Sequence, residues 1–270
     1  MKRGPGLLRA LILGALVVVP EAATTQSSGA VTGEVLYAGP AVEAAPIRVT
    51  RDARVCGTSR TAEDLVVVDG KLANVVIVLE PPDASPESAG SPAGAGAQAP
   101  GAADSGTGVR ATAWPGTHLA GAVLDLEGCR FSPRVLVLSV GGRLRILNPD
   151  GMLHAVQVAG AGARADIALG LAATEGMVSL APKFGRPEVL AVRCSVHPWM
   201  TAFIVLTAGR HAAVTDQAGR FTLDHVPPGR YTLSLWHERL GLASEPVEVE
   251  AGTTTHVTLD MAGRARTAPR

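Results

Sequence analysis

The sequence predicts an all-β protein. Short apolar runs rich in β-branched residues recur along the chain and are separated by turn residues such as Gly, Pro and the pair Asp69-Gly70. Several runs alternate apolar and polar side chains, as half-buried strands do. Aromatic residues make up only 3% of the chain, against 31 glycines and 19 prolines, and this composition favours strands and turns over a helical bundle.

Residues 1–23 have the pattern of a signal peptide. Lys2, Arg3 and Arg9 precede an apolar run at residues 10–19, and small residues follow it. The run is too short for a comfortable transmembrane helix, although an imperfect cleavage site leaves an uncleaved anchor as the alternative. We therefore expect a periplasmic or secreted protein, in which disulfides can form.

Changes in composition divide the rest of the chain. Residues 81–110 are mostly Pro, Ala, Gly and Ser and contain few large apolar side chains, so we expect a disordered linker. Within the β-rich regions, residues 159–186 have weak periodicity and leave room for a short helix. The remaining segments that we expect are an N-terminal β segment at 29–80, β-rich regions at 119–207 and 208–262, and a basic tail at 263–270.

The charge balance says little in favour of a charged partner. The chain of 270 residues carries 24 basic and 24 acidic side chains, which gives no reason to expect nucleic acid binding. The three cysteines are an odd number for an exported protein. If Cys194 binds a metal, Cys56 and Cys129 could form a disulfide, and two unpaired buried thiols are the alternative.

The segment RCSVHPWM, residues 193–200, places Cys194, His197 and Met200 at intervals of three residues. A copper site that transfers single electrons uses one thiolate, two imidazoles and a weak thioether ligand. This loop supplies three of those four groups. The second imidazole has to come from elsewhere in the chain.

His154 is the natural candidate for that imidazole. It opens a predicted strand and shares a face with Val156 and Val158, while Cys194 ends another strand whose apolar face includes Val192. A β-sandwich could bring these two strand ends together at one pole.

Two other interpretations of the loop stay open. Cys194 could be a buried thiol beside a surface imidazole, with Met200 as an ordinary core residue. Zinc is a weaker alternative, because its structural sites rarely use a thioether. A binuclear copper centre would need another thiolate in the loop, and Ser195 and Val196 do not supply one.

Residues 120–207 resemble a cupredoxin, nearest to the amicyanin type in loop spacing. The segments NPDGMLHAV and RCSVHPWM resemble the family's two ligand-bearing segments, and VLVLSVGGRLRILN resembles its valine-rich strand. The resemblance implies a Greek-key β-sandwich with copper bound by His154, Cys194, His197 and Met200. The chain departs from the family at Ala155, where cupredoxins usually have an Asn that helps hold the cysteine loop, and it lacks the usual tyrosine before Cys194.

Residues 208–262 resemble a carboxypeptidase regulatory-like domain, which implies a smaller, transthyretin-type β-sandwich. The patterns in AVTDQAGRFTLDHVPPGRYTLSLWHE carry this resemblance. The region is short for a complete sandwich, so residues 29–80 either lend it strands or form a similar sandwich of their own. The order of the segments resembles bacterial exported proteins of the methylamine-utilisation or plastocyanin-like kind.

These resemblances imply an exported mononuclear copper protein that carries single electrons between redox partners. We expect His197 to be the ligand nearest the surface, with Met152, Pro198 and Trp199 as an apolar rim on which a redox protein docks. The alternatives are a copper-delivery protein and a cell-envelope interaction module without electron transfer. We expect no enzymatic activity, because four protein ligands leave no open position for a substrate.

The other histidines lack a partner at ligand spacing. His237 and Glu238 are interpreted as a surface loop pair rather than a proton relay or second metal site. His118, His211 and His225 are interpreted as solvated side chains.

Overall fold

The computed structural model describes residues 27–41, 43–81, 121–160, 165–172, 177–180 and 186–262. Within these ranges the chain forms twenty strands and one four-residue helix, and the predicted all-β class is confirmed. The expected signal peptide, nearly all of the expected linker, the basic tail and His118 lie outside the described residues. No helix within the described ranges is long and apolar enough to cross a bilayer.

The elements before residue 82 are β1 (Gly29–Leu36), β2 (Pro46–Arg48), α1 (Ala53–Cys56), β3 (Ser59–Thr61), β4 (Val67–Val68), β5 (Lys71–Leu72) and β6 (Val76–Glu80). Those of the middle of the chain are β7 (Gly121–Leu126), β8 (Phe131–Ser132), β9 (Val135–Ser139), β10 (Arg143–Leu147), β11 (His154–Ala159), β12 (Ala165–Leu171), β13 (Met177–Leu180), β14 (Glu188–Cys194) and β15 (Thr201–Thr207). The last are β16 (His211–Val214), β17 (Arg220–Val226), β18 (Gly229–His237), β19 (Gly241–Val249) and β20 (Thr254–Asp260). The sequence allowed a short helix within residues 159–186. The described part of that segment forms no helix and instead contains the paired strands β12 and β13.

The first sandwich consists of two sheets that share one apolar core. One sheet has the order β13-β10-β7-β8 and the other β12-β11-β14-β15-β9. In β10, Leu144 and Ile146 are buried whereas Arg143 and Arg145 are exposed, which confirms the predicted alternation. Such alternation fixes the register, since a slip of one residue would move every apolar side chain to the solvent face.

The second sandwich combines strands from both ends of the chain. One sheet has the order β17-β1-β5-β4, with β20 also paired to β1, and the other has the order β16-β6-β18-β19. Val31 of β1, Ile77 of β6 and Leu233 of β18 are completely buried in a single core. Residues 29–80 therefore lend strands to residues 208–262 and do not form a sandwich of their own. The exact domain boundaries stay predictions.

The outer faces of the two sandwiches pack on each other. Val78 of β6, Val135 of β9 and Val205 of β15 belong to a third buried cluster, and the rings of Phe203 and Trp236 lie with their centroids 5.4 Å apart. Burial of these side chains removes apolar surface from water and favours a fixed arrangement of the two sandwiches.

Residues 46–62, which we call the strap, contain β2, α1 and β3 and lie against the first sandwich. Val49 and Cys56 of the strap are buried in the core of that sandwich. Cys56 forms a disulfide with Cys129, with the two Cα atoms 5.3 Å apart. The pairing that the sequence left open is therefore made, and Cys194 is a free, buried thiol.

Candidate metal centre

Two neighbouring strands bring the candidate ligands together. β11 and β14 pair antiparallel, with Val156 opposite Cys194. His154 at the start of β11 therefore lies beside Cys194 at the end of β14. The sequence indicated that a β-sandwich could bring these strand ends together, and the pairing of β11 with β14 does so.

Three of the four predicted residues converge on one point. Sγ of Cys194 lies 3.8 Å from Nδ1 of His154 and 3.7 Å from Nδ1 of His197. The two Nδ1 atoms are 3.1 Å apart. All three side chains are buried, and their donor atoms lie within 4.8 Å of one another. The structure thus gathers one sulfur and two nitrogen donors in a space from which water is excluded.

Main-chain hydrogen bonds close the loop from Cys194 to Met200. The Met200 N–H donates to the carbonyl of His197 over 3.0 Å, and the Cys194 N–H donates to the carbonyl of Met200 over 3.3 Å. Met200 is buried in the same core cluster as Cys194. Its role as the thioether ligand stays a prediction, as do the ligand roles of the other three residues.

Asp150 holds the His154 ring from outside. Its Oδ2 lies 3.2 Å from Nε2 of His154. The same carboxylate accepts hydrogen bonds from the main-chain N–H groups of Gly128, over 2.5 Å, and Cys129, over 2.7 Å. Because a carboxylate only accepts, Nε2 carries the ring proton and Nδ1 presents its lone pair to the centre.

Asp52 of the strap holds the His197 ring in the same way. Its Oδ2 lies 3.0 Å from Nε2 of His197, although the two residues are 145 positions apart. Because each Nε2 faces a carboxylate, each Nδ1 is left to bind a cation beside the cysteine sulfur. One sulfur and two imidazole nitrogens that face a common point are a donor set that fits a metal ion.

The electrostatic surroundings keep His154 neutral. Burial, followed by the neighbouring His197 ring, lowers the pKa of His154, while Asp150 and Asp52 act in the opposite direction. A neutral imidazole is the form that binds a metal. Its environment therefore favours the ligating form.

Hydrogen bonds from two further residues, Asn148 and Ser195, fix the segments that carry the ligands. The Asn148 amide donates to the carbonyl groups of Met152, over 2.8 Å, and of Leu171 and Ala172, each over 3.2 Å. The Ser195 N–H donates to the Ala155 carbonyl over 2.9 Å. The cysteine loop is thus tied to residue 155 through the main chain, which needs no Asn side chain at that position.

His197, which we expected to be the ligand nearest the surface, is completely buried. The side chain has no solvent-exposed surface, because Asp52 and the strap lie over its outer nitrogen. Of the predicted rim, Pro198 is exposed while Met152 and Trp199 are half-buried. The Trp199 ring contacts the His197 ring, with centroids 5.1 Å apart, and its Nε1–H donates to the Cys129 carbonyl over 3.3 Å.

The interpretation of His237 and Glu238 as a surface pair is wrong. His237 is only 1% exposed, and the Glu238 carboxylate forms two hydrogen bonds, of 2.5 and 2.8 Å, with the Arg134 guanidinium. Contact between the two sandwiches buries both groups. His225 is exposed as predicted, whereas His211 is half-buried rather than solvated.

The residues that the sequence did not reveal are Asp52, Asp150 and Asn148. Asp150 and Asn148 carried a weak signal, since both lie within six positions of His154 in the segment NPDGMLH. Asp52 carried none, because its contact depends on where the strap lies in the folded protein.

Comparison with known proteins identifies part of the chain. Residues 197–262 match the carboxypeptidase regulatory-like domain. The resemblance predicted for residues 208–262 is thereby confirmed. The match also takes in the end of the candidate metal loop and β15, which the structure places in the first sandwich. No curated protein matches the chain in sequence.

Some solved structures are similar to part of the chain. A reduced amicyanin variant is 24% identical over 34% of this chain and 86% of its own, with a TM-score of 0.28. A second reduced, Cu(I) amicyanin variant is 25% identical over 32% of this chain and 80% of its own, with a TM-score of 0.27. A Cu-containing nitrite reductase from Thermus scotoductus is 21% identical over 32% of this chain, with a TM-score of 0.26, and this chain spans only 22% of its length. At these TM-scores, the similarities transfer no function to the chain.

Proposed function

We propose that this chain is a mononuclear copper protein of the cupredoxin type that carries single electrons between redox partners. The observation that carries the proposal is the convergence of one cysteine sulfur and two imidazole Nδ1 atoms within 4.8 Å in a buried space. Copper bound there would supply a one-electron couple between its cupric and cuprous forms.

The four proposed ligands are His154, Cys194, His197 and Met200. The first three residues present their donor atoms to a common point, and Met200 ends the same loop in the same buried cluster. A thiolate with two imidazoles and a thioether is the ligand set that suits copper in electron transfer, whereas structural zinc sites favour more thiolates or histidines.

The surrounding residues would keep the geometry of the centre constant while the charge changes. Asp150 and Asp52 fix the two rings, and main-chain hydrogen bonds fix the cysteine loop. Because the ligands would stay in place when copper gains or loses an electron, little energy would be spent on structural rearrangement, and electron transfer would be fast. The same rigidity speaks against copper delivery, because a delivery protein has to release its metal.

We also propose that the protein works in the periplasm or outside the cell, with another redox protein as its partner and without enzymatic activity of its own. The Cys56–Cys129 disulfide supports a location outside the cytoplasm, where disulfides persist. A ligand set of four protein groups would leave no position for a substrate, which favours electron transfer over catalysis.

Redox cycling of the copper-loaded protein tests this function. The protein is loaded with Cu(II), reduced with ascorbate and reoxidised with ferricyanide, while a chromophoric Cu(I) chelator in the solution reports any released metal. We expect repeated, rapid cycles with copper retained. Transfer of the copper to the chelator on reduction would instead indicate a delivery protein, and failure to cycle would exclude the carrier.

A further inference from the structure

The strap places an unusual residue over the candidate centre. Asp52 is the N-cap of α1, a position whose side chain normally accepts a hydrogen bond from its own helix. The Asp52 side chain makes no such bond, and only its main-chain carbonyl accepts from Val55 and Cys56, each over 2.9 Å. The carboxylate is directed at Nε2 of His197 instead.

The backbone conformation of Asp52 is also unusual. Its φ of 51° and ψ of 35° lie in the left-handed region, which residues other than Gly, Asn and Asp rarely adopt. Residues held in sparsely populated conformations tend to cluster at functional sites. In this conformation the Asp52 carboxylate contacts His197, which lies outside the helix that Asp52 caps.

Several contacts fasten the strap to one turn of the first sandwich. Cys56 is joined to Cys129 by the disulfide, and the Arg60 guanidinium donates to the carbonyl of Gly128. Just after the strap, Glu63 pairs with Arg130 at 3.0 Å. These contacts all lie at or after the last residue of α1, and they hold the helix, and with it Asp52 at its start, against that turn.

We propose that the strap is a fixed cover of the centre and that Asp52 is its positioning residue, which holds His197 with Nδ1 inward and shields the outer edge of the imidazole. A partner protein then approaches the centre beside the strap and not at the edge of His197. This inference rests on the proposed function for the identity of the metal and the partner, but the hold on the ring is a property of the metal-free protein.

The test uses two substitutions of Asp52 and one matched control. Asp52→Gly removes the carboxylate and tolerates the positive φ, so it leaves the backbone unstrained. Asp52→Asn keeps an acceptor oxygen and also tolerates this conformation, but it loses the charge. Asp64→Asn is the control, because Asp64 has nearly the same side-chain exposure as Asp52, 43% against 45%, and pairs with Arg239 instead of a candidate ligand.

The first readout is the ring N–H of His197 in ¹H–¹⁵N spectra of the metal-free protein. We expect a slowly exchanging Nε2–H signal in the wild type and in Asp64→Asn, weaker protection in Asp52→Asn, and loss of the signal in Asp52→Gly. An unprotected Nε2–H in the wild type, or an unchanged signal in Asp52→Gly, would overturn the proposal.

The second readout is the affinity for Cu(I), measured by competition with a chromophoric chelator. We expect about a tenfold or greater loss for Asp52→Gly, a smaller loss for Asp52→Asn and none for Asp64→Asn, as for other groups that orient metal ligands. Equal affinities in all four proteins would contradict the positioning role. If no protein binds copper, the proposed function fails, while the ring N–H signals still decide whether Asp52 holds His197.

Discussion

Asp52 and Asp150 are both anchored to the turn at Cys129, and each binds the outer nitrogen of a different buried imidazole. Asp150 accepts the Cys129 N–H over 2.7 Å and holds His154, while Asp52 begins the short helix whose last residue, Cys56, is bonded to Cys129. A single turn thus supports both rings. Any change that loosens it is expected to disturb the two candidate histidine ligands together.

Removal of the disulfide tests this common support. The double substitution Cys56→Ser and Cys129→Ser opens a loop of 73 residues, and the loop-entropy model gives a loss of about 4 kcal/mol in the free energy of unfolding. Denaturant unfolding measures the loss, and wild type with and without a reductant is the control. An unchanged midpoint would mean that the disulfide contributes nothing to the stability of the fold.

Substitution of Asn148 tests the loop that carries His154. Asn148→Asp is nearly isosteric but removes the two donors and places a carboxylate against the carbonyl groups of Met152, Leu171 and Ala172. We expect a loss of roughly 2–3 kcal/mol in unfolding free energy, since buried acceptors lose their partners. Copper affinity should fall as well, and a variant that unfolds and binds copper like the wild type would refute this role.

Glu238→Ala tests the contact between the sandwiches. The substitution leaves the Arg134 guanidinium, only 13% exposed, without its carboxylate partner. We expect a cost of about 3–5 kcal/mol in unfolding free energy, as for other broken buried pairs. The control is Glu248→Ala in the exposed pair with Arg230, where the expected cost is below about 1 kcal/mol. Similar losses in both variants would show that the buried pair contributes no more to stability than the exposed pair.

His237 predicts how stability depends on pH. Burial, together with Arg134 and Arg239, lowers the pKa of His237 from 6.5 to about 4. Between these two pKa values the unfolded chain binds a proton at His237 that the folded chain does not bind. The contribution of neutral His237 to stability is therefore complete above pH 6.5 and is lost as the pH falls toward about 4. The full loss is roughly 3 kcal/mol, since one pKa unit corresponds to about 1.4 kcal/mol.

The variant His237→Asn isolates this effect in unfolding measurements at pH 7 and pH 4.5. Its amide oxygen can replace Nδ1 of His237, which accepts the Arg239 N–H over 3.2 Å. We expect the variant to lose less stability than the wild type on acidification. The exposed His225, whose positive φ of 55° suits Asn, gives the control variant His225→Asn, which should lose as much as the wild type. Equal acid sensitivity of all three proteins would argue against a buried, neutral His237.

Local patterns in the sequence were sufficient to predict the parts of the fold that depend on neighbouring residues. The alternation at residues 143–146 and 154–158 placed the inward side chains correctly, because a strand turns every second residue to the same face. The same rule put His154 and Cys194 on buried faces at strand ends. Only the pairing of β11 with β14 was needed to bring them together.

The features that depend on distant contacts could not be predicted in this way. β1 and β6 pair with strands from the end of the chain in the two sheets of the second sandwich. Asp52 contacts His197, which lies 145 positions further along the chain. The position of His237 and Glu238 in the segment LWHERLG suggested a surface loop, but packing of the second sandwich on Arg134 buries both side chains. In each case the tertiary arrangement, and not the local pattern, decides the environment of the residue.

The visible absorption spectrum of the protein titrated with Cu(II) decides whether Cys194 binds copper. We expect an intense blue band that saturates at one copper per chain and disappears in Cys194→Ser, while Ser195→Ala, which alters an exposed neighbour in the same loop, keeps it. A protein that takes up no copper, or a Cys194→Ser variant that retains the band, would contradict copper binding by Cys194.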